Sequence, residues 1–273
     1  MAFPDFIGVA GTVSTAKVTS LDVSIPGGGA NDGNLLILVM CAEGPTGAVN
    51  TPTGWFDAGS SGGNGPLRWA TYARKSNGTD GSTVAVTWST SAYVAAQCFQ
   101  WYNWGGTLST DVDIADATGN STTPDAPSVT AGWGSADNWW GYVSCSANDG
   151  ATMSTWASNY ILNQTSTVNT NGGSNDQCAV HSQHQKLASG SHDPGTQTLS
   201  QSQNWAALHF VIEPGSSGSA LITDSNLPAG ALTLTGQTPT ALRSLLSNLP
   251  TVRRRMPPVW GIRPRAATGR RAA

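Results

Sequence analysis

Short apolar or alternating runs recur along the first 214 residues, and turn-rich segments separate them. In LRWATYARK (67–75), apolar and polar positions alternate with the period of two that a half-buried strand shows. The run NLLILVMCA (34–42) is continuously apolar, which suits a central strand. The intervening PGGGANDG, SSGGNG and SNGTDG supply the Gly, Asn and Asp residues that tight turns need. Many short strands with regular turns predict an all-β protein, either a sandwich or a barrel.

The same strand pattern occurs twice. LLILVMCA (35–42) aligns with WWGYVSCS (139–146) at an offset of 104, which places Cys41 on Cys145. At an offset of 111, RWATYARK (68–75) aligns with AVHSQHQK (179–186), and AAQCF (95–99) aligns with AALHF (206–210). We therefore predict a domain over residues 1–214 made of two related halves, about 5–104 and 110–214. Chance similarity between β-rich strings is the alternative.

The composition changes after Glu213. Residues 215–220 have the Gly- and Ser-rich composition of a flexible linker. In the segment that follows, 221–273, ALTLTG (231–236) predicts one strand. Leucines at 242, 245, 246 and 249 predict a short amphipathic helix. Prolines at 257, 258 and 264 make the remaining tail extended rather than helical.

Charge is scarce and unevenly distributed. Only 11% of residues are charged, against about 25% in an average globular protein. Residues 1–242 hold five Lys or Arg against sixteen Asp or Glu, a net charge of −11. Residues 243–273 hold eight arginines and no acid, a net charge of +8. This asymmetry predicts a basic arm that reaches an acidic partner.

Arginine clusters bind phosphates and carboxylates alike, so the arm suits either nucleic acid or an acidic protein surface. Prolines and Trp260 among the arginines favour an extended peptide laid along a protein groove, with nucleic acid second. The residues predicted to dock are Arg243, Leu245, Leu246, Arg253, Arg254, Arg255, Trp260, Arg263, Arg265, Arg270 and Arg271.

The sequence gives little sign of secretion or of a membrane. MAFPDFIGVAG lacks the basic start and long apolar core of a signal peptide, and the run LLILVM is too short to span a bilayer. The four cysteines form no CxxC pair, which predicts reduced, buried thiols in a protein made in a cytosol.

No residue set predicts a cofactor or a catalytic reaction. His181 and His184 stand three apart in a predicted strand, so they should point to opposite faces and not share one metal. Asp111 and Asp113 share one strand face and could bind Ca²⁺, but the glycine-bearing calcium loop is absent. We therefore expect no metal, no cofactor and no enzymatic activity.

Ten of the eleven tryptophans precede residue 215, and most should belong to the core. A few could instead lie at loop tips, where flat aromatic faces beside Asn and Asp hold sugars. Trp104, Trp133 and Trp139 are the candidates for such a glycan-binding edge.

The segments DGNLLILVM, NTPTGWFDAGS, LRWATYARK, GSTVAVTWS and AAQCFQWY, in this order, resemble a duplicated β-sandwich family of tailed-bacteriophage virion proteins. PAGALTLTGQTPT (228–240) resembles a segment that recurs near the ends of phage structural proteins. The resemblance implies an antiparallel, jelly-roll-like sandwich in a head-decoration, head-fibre or tail-fibre protein. Such a protein is made in the host cytoplasm and assembled in many copies, or as a homo-oligomer, with capsid or tail subunits. A carbohydrate-binding module for host-surface glycans is the alternative function.

Overall fold

The computed structural model describes residues 2–44, 49–147, 151–160, 165–170 and 177–215. The prediction of an all-β antiparallel sandwich is confirmed, because almost all regular structure in these residues is strand. The linker residues 216–220, the strand predicted at 231–236, the helix predicted over 238–249 and the arginine tail lie outside the described residues.

The first half forms one large antiparallel sheet in the order β1-β7-β3-β6-β5. Strand β7 has 20 residues and serves two layers: its second part pairs with β1 and β3, and its first part pairs with β2 and β4. The strands are β1 (Asp5–Val13), β2 (Val18–Ser24), β3 (Leu35–Glu43), β4 (Val49–Asn50), β5 (Phe56–Asn64), β6 (Leu67–Lys75) and β7 (Thr83–Tyr102).

The second half forms a five-stranded antiparallel sheet in the order β8-β16-β10-β13-β12. Two small two-stranded pairings, β9 with β14 and β11 with β15, accompany it. The strands are β8 (Val112–Ser121), β9 (Val129–Thr130), β10 (Ala136–Ala147), β11 (Met153–Thr155), β12 (Thr165–Asn169), β13 (Cys178–Ser189), β14 (Ser191–His192), β15 (Thr198–Leu199) and β16 (Gln203–Ile212).

The two large sheets have the same strand order and the same register. Leu38 pairs with Cys98 in the first sheet, and Tyr142 pairs with His209 in the second, at the offsets of 104 and 111 seen in the sequence. Likewise Leu35 pairs with Lys75, and Trp139 pairs with Lys186. The sequence repeat therefore corresponds to two equivalent sheets.

The inner faces of the two sheets pack on each other and form one core. Apolar side chains of β3 and β7 meet those of β10 and β16 there, and all four central strands contribute fully buried residues. Trp101, Trp139 and Phe210 form an aromatic group at one end of this core. The two halves therefore depend on a shared apolar interior.

The outer faces of both sheets are also covered. Over the first sheet, β2, β4 and the start of β7 bury Leu36, Leu38 and Met40. Over the second sheet, the segments around Ala126–Ala131 and Ala157–Tyr160 bury Trp140 and Tyr142. Both faces of a central strand such as β3 are thus apolar, which explains its continuous apolar sequence.

Candidate functional site

The predicted docking residues belong to the C-terminal segment, which lies outside the described residues. They are Arg243, Leu245, Leu246, Arg253, Arg254, Arg255, Trp260, Arg263, Arg265, Arg270 and Arg271. Their contacts therefore stay predictions.

Two of the three tryptophans proposed to hold glycans are core residues. Trp139 is fully buried between Trp101 and Phe210, and Trp104 is buried with its indole N–H donating to the Gly33 carbonyl at 2.8 Å. The expectation that they expose a flat face is wrong, because both belong to the core that the two sheets share. Trp133 is half-buried, and its indole N–H donates to the Asn138 side chain at 2.9 Å.

His181 and His184 lie on opposite faces of β13, as their spacing predicts. His184 packs against the rings of Phe6 and Trp139, with centroids 4.4 and 4.7 Å away, whereas His181 faces Trp156. Burial lowers the pKa of both imidazoles to about 4. They are therefore neutral core residues at pH 7.

The Asp111 and Asp113 carboxylates form hydrogen bonds with neighbouring loops. The Asp111 carboxylate accepts hydrogen bonds from the Thr107 N–H and the Thr110 hydroxyl, and Asp113 accepts one from the Gly132 N–H at 2.7 Å. In the described part of the chain, no three His, Cys, Asp or Glu residues are grouped so that they could hold a metal ion.

All five Lys and Arg residues that precede residue 216 have partners within the sandwich. Arg68 donates to the carbonyls of Gly65 and Leu67, and Lys75 donates to the Gly106 carbonyl at 3.0 Å. Arg74 pairs with Asp80. The other two are Lys186, 3.9 Å from Asp5, and Lys17, whose ammonium lies 5.9 Å from the centre of the Tyr93 ring.

One cavity among the described residues lies on the outer side of the first half and has a volume of about 340 Å³. We call it the Trp55–Arg74–Asp80 cavity after three of its lining residues. Trp55 follows a tight turn in which its N–H bonds to the Pro52 carbonyl and Gly54 has a φ of +78°. Arg74 is the penultimate residue of β6, and Asp80 lies in the loop between β6 and β7.

The guanidinium of Arg74 is held from two sides. Its Nη2 lies 2.5 Å from Asp80 Oδ1, and its Nη1 donates to the Thr53 carbonyl at 3.4 Å. A Cβ atom at Gly54 would lie 2.8 Å from Nη1. The positive φ of residue 54 favours glycine, and a larger residue there would displace the guanidinium.

The Asp80 carboxylate is only partly satisfied. Its side chain is 6% exposed, and its second oxygen, Oδ2, is buried without a hydrogen-bond partner. A buried carboxylate oxygen is costly unless a donor reaches it. The lining of this cavity therefore includes an ion pair and the largely buried ring of Trp55.

The equivalent position in the second half carries different chemistry. The pair Leu36–Arg74 of the first sheet corresponds to Trp140–Gln185 of the second. Gln185 bonds to the His192 ring nitrogen at 2.8 Å, and the rings of Trp140 and Tyr160 pack about this histidine, with centroids 5.4 and 5.2 Å away. Aromatic side chains thus surround a neutral pair where the first half has an ion pair beside a cavity.

A second cavity, of about 300 Å³, lies where β5 and β6 approach β8. Phe56 is 51% exposed at its mouth, and Asp57 and Asp113 provide carboxylates. Both acids already accept a backbone N–H, Asp57 from Gly59 and Asp113 from Gly132. In contrast to Asp80, neither has a buried oxygen left without a donor.

Sequence reasoning missed the Trp55–Arg74–Asp80 cavity because its residues come from separate turns and a strand. The available signal was the turn TPTGW beside an arginine-bearing strand.

A comparison of the chain with protein-family models, with curated proteins and with solved structures finds no match. Among the described residues, no helix is long and apolar enough to cross a membrane.

Proposed function

We propose that this chain is a non-enzymatic structural protein of a tailed-phage virion, displayed on the particle surface as a head decoration, head fibre or tail fibre. Its basic C-terminal arm docks it to capsid or tail subunits. The observation that carries this proposal is the distribution of cations. Each of the five Lys and Arg residues of the sandwich has a partner within it. The eight arginines of 243–273 are therefore the positive charges that we assign to contact with an acidic partner.

The surface of the sandwich also favours attachment through the arm. Both large sheets are covered on their outer faces by their own chain. Among the described residues, the large apolar side chains that stay exposed are Ile7, Phe56, Tyr102 and Leu187. An arginine arm can dock by bidentate contacts to carboxylates, which apolar side chains cannot make. The arm is therefore the favoured attachment element.

Binding of host glycans is the second candidate function. Trp104 and Trp139 do not favour it, because their rings are covered by protein. Trp133 is half-buried in the second half and keeps some accessible surface. Of the three tryptophans that the sequence indicated, Trp133 is therefore the one whose position still fits a glycan-binding role.

The test compares particles assembled with variants of the full chain. Replacing all eight arginines of 243–273 by glutamine is expected to remove the protein from purified particles. Replacing them by lysine, which keeps the charge, should retain part of it. The matched control is Arg68→Gln, which alters a cation of the sandwich and should leave incorporation unchanged. Equal incorporation of the glutamine variant and the native chain would contradict the proposal.

A further inference from the structure

We propose that the second sheet carries an acid-sensitive cover, which a hydrogen-bonded pair of imidazoles, His192 and His209, holds in place. We call residues 126–131 together with β14 the β9–β14 cover. It lies over the outer face of the second sheet, where its apolar residues help to bury Trp140 and Tyr142. When both imidazoles are protonated, the cover leaves the sheet and exposes these two rings. The inference concerns the second half alone and does not depend on how the protein is attached to a particle.

Three hydrogen bonds connect the β9–β14 cover to the sheet below it. His209 of β16 bonds through Nδ1 to the Pro127 carbonyl oxygen at 3.0 Å. Its other ring nitrogen, Nε2, lies 3.4 Å from Nδ1 of His192 in β14. The remaining nitrogen of His192, Nε2, lies 2.8 Å from the amide nitrogen of Gln185 in β13. Both parts of the cover are therefore tied to the sheet through imidazole nitrogens.

These contacts fix the protonation state of both rings. A carbonyl oxygen only accepts hydrogen bonds, so His209 Nδ1 carries the proton that it donates to Pro127. In a neutral imidazole the second nitrogen is an acceptor, so His209 Nε2 accepts from His192 Nδ1–H. His192 Nε2 in turn accepts from the Gln185 amide. With Gln185 as the donor, both imidazoles are neutral.

The pair can accommodate one proton but not two. When His192 Nε2 is protonated, the amide of Gln185 has only to turn and offer its oxygen. A second proton, on His209 Nε2, then opposes the His192 Nδ1–H across 3.4 Å, and two positive rings stand with centroids 5.4 Å apart. Like charges this close repel strongly in the interior of a protein. The second proton therefore separates His192 from His209, and with it the cover from the sheet.

Burial opposes the charge on both rings. It lowers the pKa of His209 to about 4, and it also lowers the pKa of His192. In an unfolded chain the imidazole pKa is about 6.5. The folded protein therefore binds fewer protons between these values, so the contribution of the pair to stability is present above pH 6.5. It is lost as the pH falls towards 4.

The other titratable groups around the pair do not remove this effect. Asp193 attracts both imidazolium rings, but burial has the larger influence on each. The phenols of Tyr142 and Tyr160 stay protonated, because burial raises their pKa. The other carboxylates on the described elements packed about the pair are those of Asp113, which accepts from the Gly132 N–H, and Asp125, whose charge acts on the Tyr142 phenol.

The first half has no counterpart of this pair, so the response should be local. All four histidines of the chain lie between residues 181 and 209. The position equivalent to His209 is held by Cys98, a buried thiol under the segments that cover the first sheet. Those segments, β2, β4 and the start of β7, contain no histidine. Acid should therefore release the cover of the second sheet before that of the first.

Hydrogen exchange of the full chain tests the release, with rates expressed as protection factors to remove the intrinsic effect of pH. The Ala131 N–H bonds to the Gly190 carbonyl at 2.8 Å, in a two-residue pairing that is not stable without the sheet. Its protection should fall at least about tenfold between pH 7 and pH 4.5, since each unit of lowered pKa corresponds to a factor of ten. The Ile25 N–H, bonded to the Ser82 carbonyl at 2.8 Å in the first half, should keep its protection. Equal losses at Ala131 and Ile25, or no loss at Ala131, would overturn the proposal.

The variant His209→Gln removes the titrating ring but keeps a side chain that can donate and accept hydrogen bonds. Its Ala131 protection should be the same at both pH values. The matched control His184→Phe, which removes a buried histidine outside the pair, should show the same loss at Ala131 as the native chain. Thermal melting checks that both variants fold.

Nitrogen NMR of the native imidazoles is the second readout and needs no variant. At pH 7 both His192 and His209 should be neutral with the proton on Nδ1. A loss of Ala131 protection in folded His209→Gln equal to that of the native chain would refute the proposal. So would a charged ring or a proton on Nε2 in the native chain at pH 7.

Discussion

The indole rings of Trp101 and Trp139 meet edge to face across the two sheets, with centroids 4.7 Å apart and planes at 75°. Trp101 belongs to β7 of the first half and Trp139 to β10 of the second. Phe210 packs against both rings, at 6.2 and 5.7 Å. This contact joins the two halves of the repeat, so they should unfold together.

Trp139→Ala is the first test of this shared core. Removing a fully buried indole should lower the free energy of unfolding by about 3–5 kcal/mol. Trp133→Ala, at a half-buried position outside the shared core, should cost clearly less. Urea denaturation of both variants measures the difference. Equal losses would show that the contact between the sheets does not dominate stability.

Gly141→Ala tests the close packing of β10 on β16. A Cβ atom at Gly141 would lie 2.3 Å from Cζ of Phe210, a ring fixed in the shared core. Overpacking of this kind should cost about 1–3 kcal/mol in the free energy of unfolding. Gly8→Ala is the control, since its Cβ would meet only an ordinary contact at 3.7 Å. If Gly141→Ala melts like Gly8→Ala, the packing of these two strands is looser than described.

His184→Phe tests the acid sensitivity of the sandwich. Burial, and secondarily the Lys186 ammonium, lower the pKa of His184 to about 4, against about 6.5 in an unfolded chain. The folded state therefore binds fewer protons between these values, so the stability is present above pH 6.5 and is lost as the pH falls towards 4. The loss from this group reaches about 3 kcal/mol at most.

Phenylalanine keeps an aromatic ring beside Trp139 but cannot titrate. Plots of unfolding free energy against pH should therefore be flatter for His184→Phe than for the native chain between pH 6.5 and 4. Parallel plots would mean that the imidazole is not neutral and buried in the fold.

The cysteines should be inert in the folded protein. All four are free and buried, and burial together with the neighbouring Cys145 and Cys178 thiols raises the pKa of Cys41 well above its usual value. An aromatic disulfide reagent should react with four thiols after denaturation and with none in the native state. Ser61→Cys, at an exposed position of β5, is the positive control. Rapid labelling of the native chain would contradict the described core.

The strand register of the two sheets follows the two offsets that the sequence displays. Cys98 and His209 align at the same offset in sequence and occupy equivalent places beside Leu38 and Tyr142 in the two sheets. A period of two also correctly separates His181 from His184. These features depend on local spacing, which a single sequence displays directly.

The exposure of tryptophans is less accessible to such reasoning. Alternation assigns residues to two faces, but it does not reveal that both faces of β10 are covered, so Trp139 and Trp140 are equally buried. The Trp55–Arg74–Asp80 cavity escapes prediction for a related reason. It is assembled by the pairing of strands distant in sequence, and only the fold brings the β6–β7 loop beside the turn at Gly54.

A photocrosslinker placed at Trp260 gives the sharpest test of the proposal that the arginine arm attaches the sandwich to a virion. In purified particles, we expect an adduct between the arm and a capsid or tail subunit. Lysine in place of the eight arginines should preserve part of this adduct, and glutamine should abolish it. Adducts confined to the chain's own sandwich or to nucleic acid, or particles that contain no such chain, would rule out attachment through the arm.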